Sequence, residues 1–271
     1  MNVLTIRKGI SSSIVVSRPY MLAWATPATH QSCDRLREHF LEDPSCGCIA
    51  LEQLEKAVFV WAGRLHQDMD LGEFADATGL SEAERRRLSG FRFREDALGF
   101  ASAHGVLRLA LGACLRCSPA DVCIRANNYG KPFLENPRLN AGVCVEFSLS
   151  HCKDLAAVAF SNQPIGVDIE YLRQMESWVD LTARIFPQYL DDILSAPLDR
   201  SAAKFLRYWC LHEAVAKAEG LGLSMAFSDI AFSADDPPRV EWKHDSLRIH
   251  REWQMSSAIG GTICELNCGV R

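Results

Sequence analysis

The sequence has no apolar run near the roughly 20 residues that a membrane helix requires, so no membrane partner is expected. It also lacks an excess of positive charge. Lys and Arg number 29 against 34 Asp and Glu, a net charge of −5, which argues against a nucleic-acid partner, since phosphate backbones call for a basic face. Low-complexity segments and internal repeats are missing. The 11 cysteines form neither the matched pairs of a structural zinc site nor the dense framework of a small secreted domain. Cys114-Leu115-Arg116-Cys117, Cys46-Gly47-Cys48 and Cys264 with Cys268 stand isolated. Free thiols in a reducing cytoplasm are the expectation. Ser11 to Ser13, Ser17 and Arg18 interrupt the apolar stretch that a signal peptide needs. No G-x-S-x-G nucleophile elbow occurs. Gly130-Lys131-Pro132 lacks the glycine-rich lead and trailing hydroxyl of a P-loop.

What is there is a chain of 271 residues, 48% hydrophobic and 23% charged, long enough for one large domain or two small ones. Residues 1–54 are interrupted by Pro19, Pro27, Pro44 and Gly47 and read as an N-terminal extension. Two halves are expected after it, over 55–160 and 161–271. Ala57 to Ala62 reads as a strand. Ser81 and Glu84 form a capping box. Phe93, Ala97, Phe100, Ala101, His104, Leu107, Leu111 and Leu115 recur at three- and four-residue spacing, predicting a helix over about 95–115. Val143 to Ser150 alternates as a strand, with Val143, Val145, Phe147 and Leu149 facing one way and Glu146, Ser148 and Ser150 the other. Leu155 to Phe160 and Ile165 to Glu170 flank a short turn and read as a β-hairpin. Helices are expected at about 179–194 and 202–219, with Gly220 and Gly222 as the stop, and strands over 227–270. The order of elements predicts an α+β fold.

Three segments carry chemistry. In Gly166-Val167-Asp168-Ile169-Glu170, alternate residues of a strand share a face, so Asp168 and Glu170 stand side by side about 7 Å apart. Mg²⁺ is a natural filler between such carboxylates; a solvated strand face is the plainer alternative. Trp209, Glu213 and Lys217, four residues apart in turn, share one helix face. There Glu213 and Lys217 fit a base and a phosphate clamp, or an ordinary surface pair. Phe147-Ser148-Leu149-Ser150-His151 offers a hydroxyl and an imidazole suited to a phosphate.

Taken in order, Gly130-Lys131-Pro132, Phe147 to His151, Gly166 to Glu170 and Trp209-x-x-His-Glu-Ala-x-x-Lys-Ala-x-Gly-x-Gly-Leu223 resemble the 4′-phosphopantetheinyl transferases of the surfactin-synthetase-activating type, over roughly residues 57–232. Ser81 to Arg108 resembles that family's arginine-rich segment and following helix. The resemblance implies a pseudo-dimer of two similar α+β halves, with coenzyme A in the cleft between them. It implies a transferase of secondary metabolism that moves 4′-phosphopantetheine from coenzyme A to a serine of an acyl or peptidyl carrier protein and releases 3′,5′-ADP. Asp168, Glu170 and Glu213 would ligate Mg²⁺. Glu213 would act as base and Lys217 would stabilise charge. Arg87, Lys131, Pro132, Ser150, His151, His212 and Lys217 would contact the nucleotide and its phosphates. A cytoplasmic monomer is expected. The chain departs from the family at His212, where lysine is usual, at Gly99, where an arginine is usual, and at Leu190, where an acid is usual. Those changes keep two other readings open: a non-catalytic relative that binds a carrier protein or nucleotide, and a Mg²⁺-dependent enzyme acting on another phosphate ester.

Overall fold

The computed structural model describes residues 2–8, 14–15, 58–65, 67–135, 145–162, 164–171, 178–232, 240–242, 253–259 and 262–264. In chain order these contain β1 (Asn2–Lys8), β2 (Ile14–Val15), β3 (Val58–Arg64), α1 (Leu71–Ala77), α2 (Glu82–Ser89), α3 (Arg94–Leu115), β4 (Ile124–Ala126), β5 (Pro132–Leu134), β6 (Glu146–Cys152), β7 (Leu155–Ser161), β8 (Ile165–Glu170), α4 (Trp178–Ile185), α5 (Leu190–Leu194), α6 (Leu198–Glu219), β9 (Ile230–Phe232), β10 (Val240–Trp242), β11 (Trp253–Ile259) and β12 (Thr262–Cys264). This is the expected mixture of helix and strand. Two four-stranded sheets dominate, ordered β2-β3-β7-β6 and β12-β11-β1-β8. Among the described residues one helix, α3, is long and apolar enough to cross a membrane, and it is the core helix of the first sheet.

Each sheet carries one 22-residue helix. Leu98, Leu107 and Leu111 of α3 bury themselves with Phe147, Val158 and Phe160 of β6 and β7. Leu211, Ala214 and Val215 of α6 bury themselves with Phe186, Phe205 and Ile230. A third apolar layer joins the sheets: Val60, Leu155, Ala157 and Ala159 meet Ile165, Val167 and Ile169 of β8. The capping box forms as expected, Ser81 Oγ accepting from the Glu84 amide and Glu84 accepting from the Ser81 amide.

The structure corrects the sequence reading in three respects. Residues 2–8, assigned to an N-terminal extension, form a strand inside the second sheet, with Leu4 opposite Asp168 and Asn2 opposite Glu170. The β7–β8 hairpin does not form. β7 already pairs with β3 on one edge and β6 on the other, so β8 crosses to the second sheet and meets β7 face to face. The tight hairpin is β6–β7, turning at Lys153, whose φ is 53°. Both faces of β6 are thereby used. Ser148, on the face opposite Phe147, is buried as well, and its Oγ accepts from the Val167 amide at 3.1 Å. The helix expected over 179–194 is split at Pro187 into α4 and α5.

Candidate active site

Two close approaches build the site. A Cβ added at Gly166 would lie 1.8 Å from the Ala214 carbonyl oxygen, so only glycine lets α6 settle directly on β8. That contact sets Glu213 and Lys217 against the acid-bearing strand. The Lys217 ammonium donates to Asp168 Oδ1 at 2.6 Å and to Ser150 Oγ at 2.9 Å, and Ser150 donates to the same Oδ1 at 2.8 Å. Residues from β6, β8 and α6 thus meet in one knot. Asp168 is 4% exposed, and among the described residues its Oδ2 is buried with no nitrogen or oxygen partner, the Cys210 thiol lying beside the carboxylate. Cys210 lies close enough to feel that charge: burial, then Asp168, push its thiol well above the usual range. The Cys152 thiol donates to Glu170 Oε2 at 3.2 Å.

Glu213 is half-buried. Burial raises its carboxyl above the ordinary range, Asp168 and Glu170 raise it further, and Lys217 opposes them. Asp168, Glu170 and Glu213 therefore act in one local field. Among the described residues, no three His, Cys, Asp or Glu side chains already surround a common point as metal ligands do. Asp168 Oδ2 and the raised Glu213 nonetheless leave an uncompensated negative charge, which suits a hard divalent cation. The donor set thus fits such an ion.

Beside this acidic knot lies a cationic one. The His151 ring stands edge-on to Phe100 and Phe91, at 5.9 and 6.3 Å. His104 stacks on Phe100 at 4.1 Å, and the Arg87 guanidinium lies 5.1 Å from the same ring. Burial drives His151 down to about 4, assisted by the positive charges of His104, Arg87 and Lys217. No carboxylate of the described residues pairs with the exposed Arg87. Burial, the larger cause, opposes charge of either sign there, whereas the nearby charges of Arg87 and Lys217 favour an incoming anion.

Other expected contacts fall elsewhere. His212 is fully buried, with Nδ1 2.8 Å from the Tyr208 carbonyl oxygen and Nε2 3.3 Å from that of Ile230. Phe186, Phe232 and Phe227 surround it at 4.5, 4.7 and 5.1 Å. The expectation that it faces a donor's phosphates is corrected: its helix face turns into the second core. Trp209 turns the same way, against Phe186, Phe205 and Phe227. Lys131 donates to the Ala218 carbonyl oxygen at 2.9 Å, and Pro132 opens β5 opposite Ala126. Gly99 offers no vacancy for a missing arginine. A Cβ there would stand 1.9 Å from the Lys153 carbonyl oxygen, so the β6–β7 turn fills that space. The sequence reading missed Asn127, whose only signal was its place in a turn-rich loop. It also missed Cys152 and Cys210, which no spacing connects to the acids.

Comparison with known proteins agrees with the motifs. Residues 72–163 match the family model "4′-phosphopantetheinyl transferase, N-terminal", and 164–264 match "4′-phosphopantetheinyl transferase superfamily". The chain is 33% identical over 196 residues to the 4′-phosphopantetheinyl transferase HetI of Nostoc sp. (strain PCC 7120), covering 70% of this chain and 81% of that protein. It is 25% identical over 178 residues to the 4′-phosphopantetheinyl transferase Sfp of Bacillus subtilis (strain 168), covering 65% and 70%. A phosphopantetheinyl transferase of Thraustochytrium sp. is 28% identical over 174 residues, 58% of each chain. The chain therefore belongs to the 4′-phosphopantetheinyl transferase family, in its Sfp-type form of an N-terminal segment followed by a superfamily segment, and is an enzyme of phosphopantetheine transfer to carrier proteins.

Proposed function

We propose that this enzyme transfers 4′-phosphopantetheine from coenzyme A to a serine of an acyl or peptidyl carrier protein in a Mg²⁺-dependent reaction that releases 3′,5′-ADP. One observation carries this reading. Glu213 lies in the field of Asp168 and Glu170 with Lys217 as the ammonium between them, and the strand-end His151 and the exposed Arg87 stand beside this group. A divalent cation on a pyrophosphate suits the carboxylates and the cations at once. Asp168, Glu170 and Glu213 would hold the ion, which when bound acts as a Lewis acid on the pyrophosphate.

The chain's own groups do the rest. Lys217 stabilises the charge that develops on the phosphoryl oxygens. Ser150 holds Lys217 and Asp168 in mutual register. Glu213, or a water it holds, takes the proton of the carrier serine as its oxygen attacks the β-phosphate. His151 and Arg87 bind the nucleotide phosphates. In this reading residues 55–160 and 161–271 are the two halves of a pseudo-dimer with the donor between them. The enzyme works as a monomer in the cytoplasm, its thiols free.

The test is intact-mass measurement of a panel of apo carrier proteins incubated with enzyme, coenzyme A and Mg²⁺. A gain of the phosphopantetheine mass that requires Mg²⁺ is the expected result. No gain on any carrier, with coenzyme A still bound, would move the protein to a binding role.

A further inference from the structure

The last turn of α6 is completed from the other half of the molecule. A helix C-terminus leaves its final carbonyls without partners inside the helix. Here Gly220, at φ 73°, and Leu221 turn their amides back to Ala216. The carbonyls of Ala218 and Gly220 are taken by residues about 90 positions earlier. Lys131 Nζ donates to Ala218 at 2.9 Å, and Asn127 Nδ2 donates to Gly220 at 2.8 Å. The fit is close: a Cβ at Gly220 would stand 3.0 Å from Lys131 Cδ and 3.1 Å from Asn127 Nδ2.

The donor loop is rigid by its own bonding. Asn127 Oδ1 accepts from the amides of Tyr129 and Lys131, both at 2.9 Å, and the Asn127 amide donates to the Lys131 carbonyl at 2.9 Å. A cation at a helix C-terminus also complements the helix dipole. Burial lowers the Lys131 proton affinity, with Glu146 opposing, so its ammonium is a built-in group rather than a solvated one. The residue before Ala218 is Lys217, and Glu213 lies one turn earlier.

We infer that Asn127 and Lys131 are positioning residues: a clamp by which the β4–β5 loop caps α6 and fixes Lys217 and Glu213 opposite Ser150 and Asp168. The inference rests on the proposed roles of Lys217 and Glu213. It assigns the Gly-Lys-Pro lysine to the helix end instead of to the nucleotide.

The test compares Asn127→Asp, Lys131→Met and Lys131→Arg with the parent. Asn127→Asp keeps the Oδ1 acceptor that organises the loop and replaces the donor to Gly220 with a charged acceptor that repels that carbonyl. Three quantities are read: amide exchange over residues 213–221, coenzyme A affinity by calorimetry, and kcat for an apo carrier protein. Asn127→Asp and Lys131→Met should exchange faster at the end of α6. Their kcat should drop about 10- to 100-fold, the scale of a small misplacement of a reacting group, while coenzyme A affinity stays within a few-fold. Lys131→Arg, which keeps a donor, should recover much of the rate. A large loss of coenzyme A affinity with kcat at saturation unchanged would overturn the clamp and return Lys131 to the nucleotide. If the parent itself transfers nothing, the proposed reaction fails, and exchange alone decides the clamp: unchanged protection in both variants overturns it.

Discussion

The two long helices each carry a cluster of charges, and the clusters are built in opposite ways. Against α3, Glu84 pairs with His104 at 2.9 Å and with the buried Arg108 at 2.6 Å, and Arg108 also donates to the Pro119 and Val122 carbonyls. Burial alone would raise the Glu84 carboxyl, but the bonds from His104 and Ser81 and the charge of Arg108 outweigh it and hold it at about 2. Against α6, Glu213 has the same burial penalty and too few cations, so it goes up. Asp168 keeps one oxygen with no nitrogen or oxygen partner among the described residues. A closed cluster such as the first stabilises the fold. An open one such as the second keeps its capacity for a ligand.

The comparison predicts that substitutions of similar chemistry have separable effects. Glu213→Gln should lower transfer by about 100- to 10,000-fold while melting at or above the parent temperature. The sign follows from the raised proton affinity: this group stabilises the fold only below its ordinary titration range and loses that contribution as pH rises through the raised value. Near-native turnover in saturating Mg²⁺ would refute the assignment of Glu213.

Glu84→Gln should do the reverse. It removes the counter-charge of the buried Arg108 while Gln can still complete the capping box, a loss of about 3–5 kcal/mol by denaturant titration, with turnover kept in the folded fraction. Because Glu84 titrates near 2, its contribution is complete above about pH 4.5 and is lost as pH falls through about 2. The gap between parent and variant should narrow in that window.

His212→Lys, which restores the residue usual in the family, should cost about 2 kcal/mol or more, since it buries an ammonium among aromatic rings. Higher kcat/KM with unchanged melting would contradict the placement of His212 in the core.

The smallest effect concerns His151. A bound phosphate favours its protonated form, so coenzyme A affinity should rise as pH falls from neutrality toward about 4. Calorimetry of the parent relative to His151→Gln cancels the titration of the ligand itself. A ratio that does not change with pH would leave His151 without a phosphate contact.

Much of the open cluster was legible because strand and helix periodicities place Asp168 beside Glu170 and Glu213 above Lys217 without knowledge of the fold. The Ser81 cap was legible for the same local reason. What failed was long-range. Nothing near Asn2–Lys8 announces a partner more than 150 residues away. Two alternating runs across a short turn look like a hairpin until both edges of β7 are seen to be occupied. Gly99 and Gly166 look alike in sequence, and only the neighbouring backbone tells that each marks a close approach. His212 shares a helix with the site residues but turns to its opposite side, which the polar character of histidine concealed.

The position of β1 has a consequence for how the protein is made. β8, which carries Asp168 and Glu170, pairs among the described strands only with β1, and β1 in turn pairs with β11 at residues 253–259. The first sheet needs no residue beyond Ser161 and can form while the ribosome is still at work. In the second, β8 can pair with β1 once residue 170 has emerged, but the sheet is complete only when β11 and β12 follow, and pairings of such high sequence separation form late. Nascent chains arrested before residue 253 should protect the amides of β6 and β7 more strongly than those of β1 and β8. Synthesis thus yields a folded first half before the sheet that carries the acidic strand is complete.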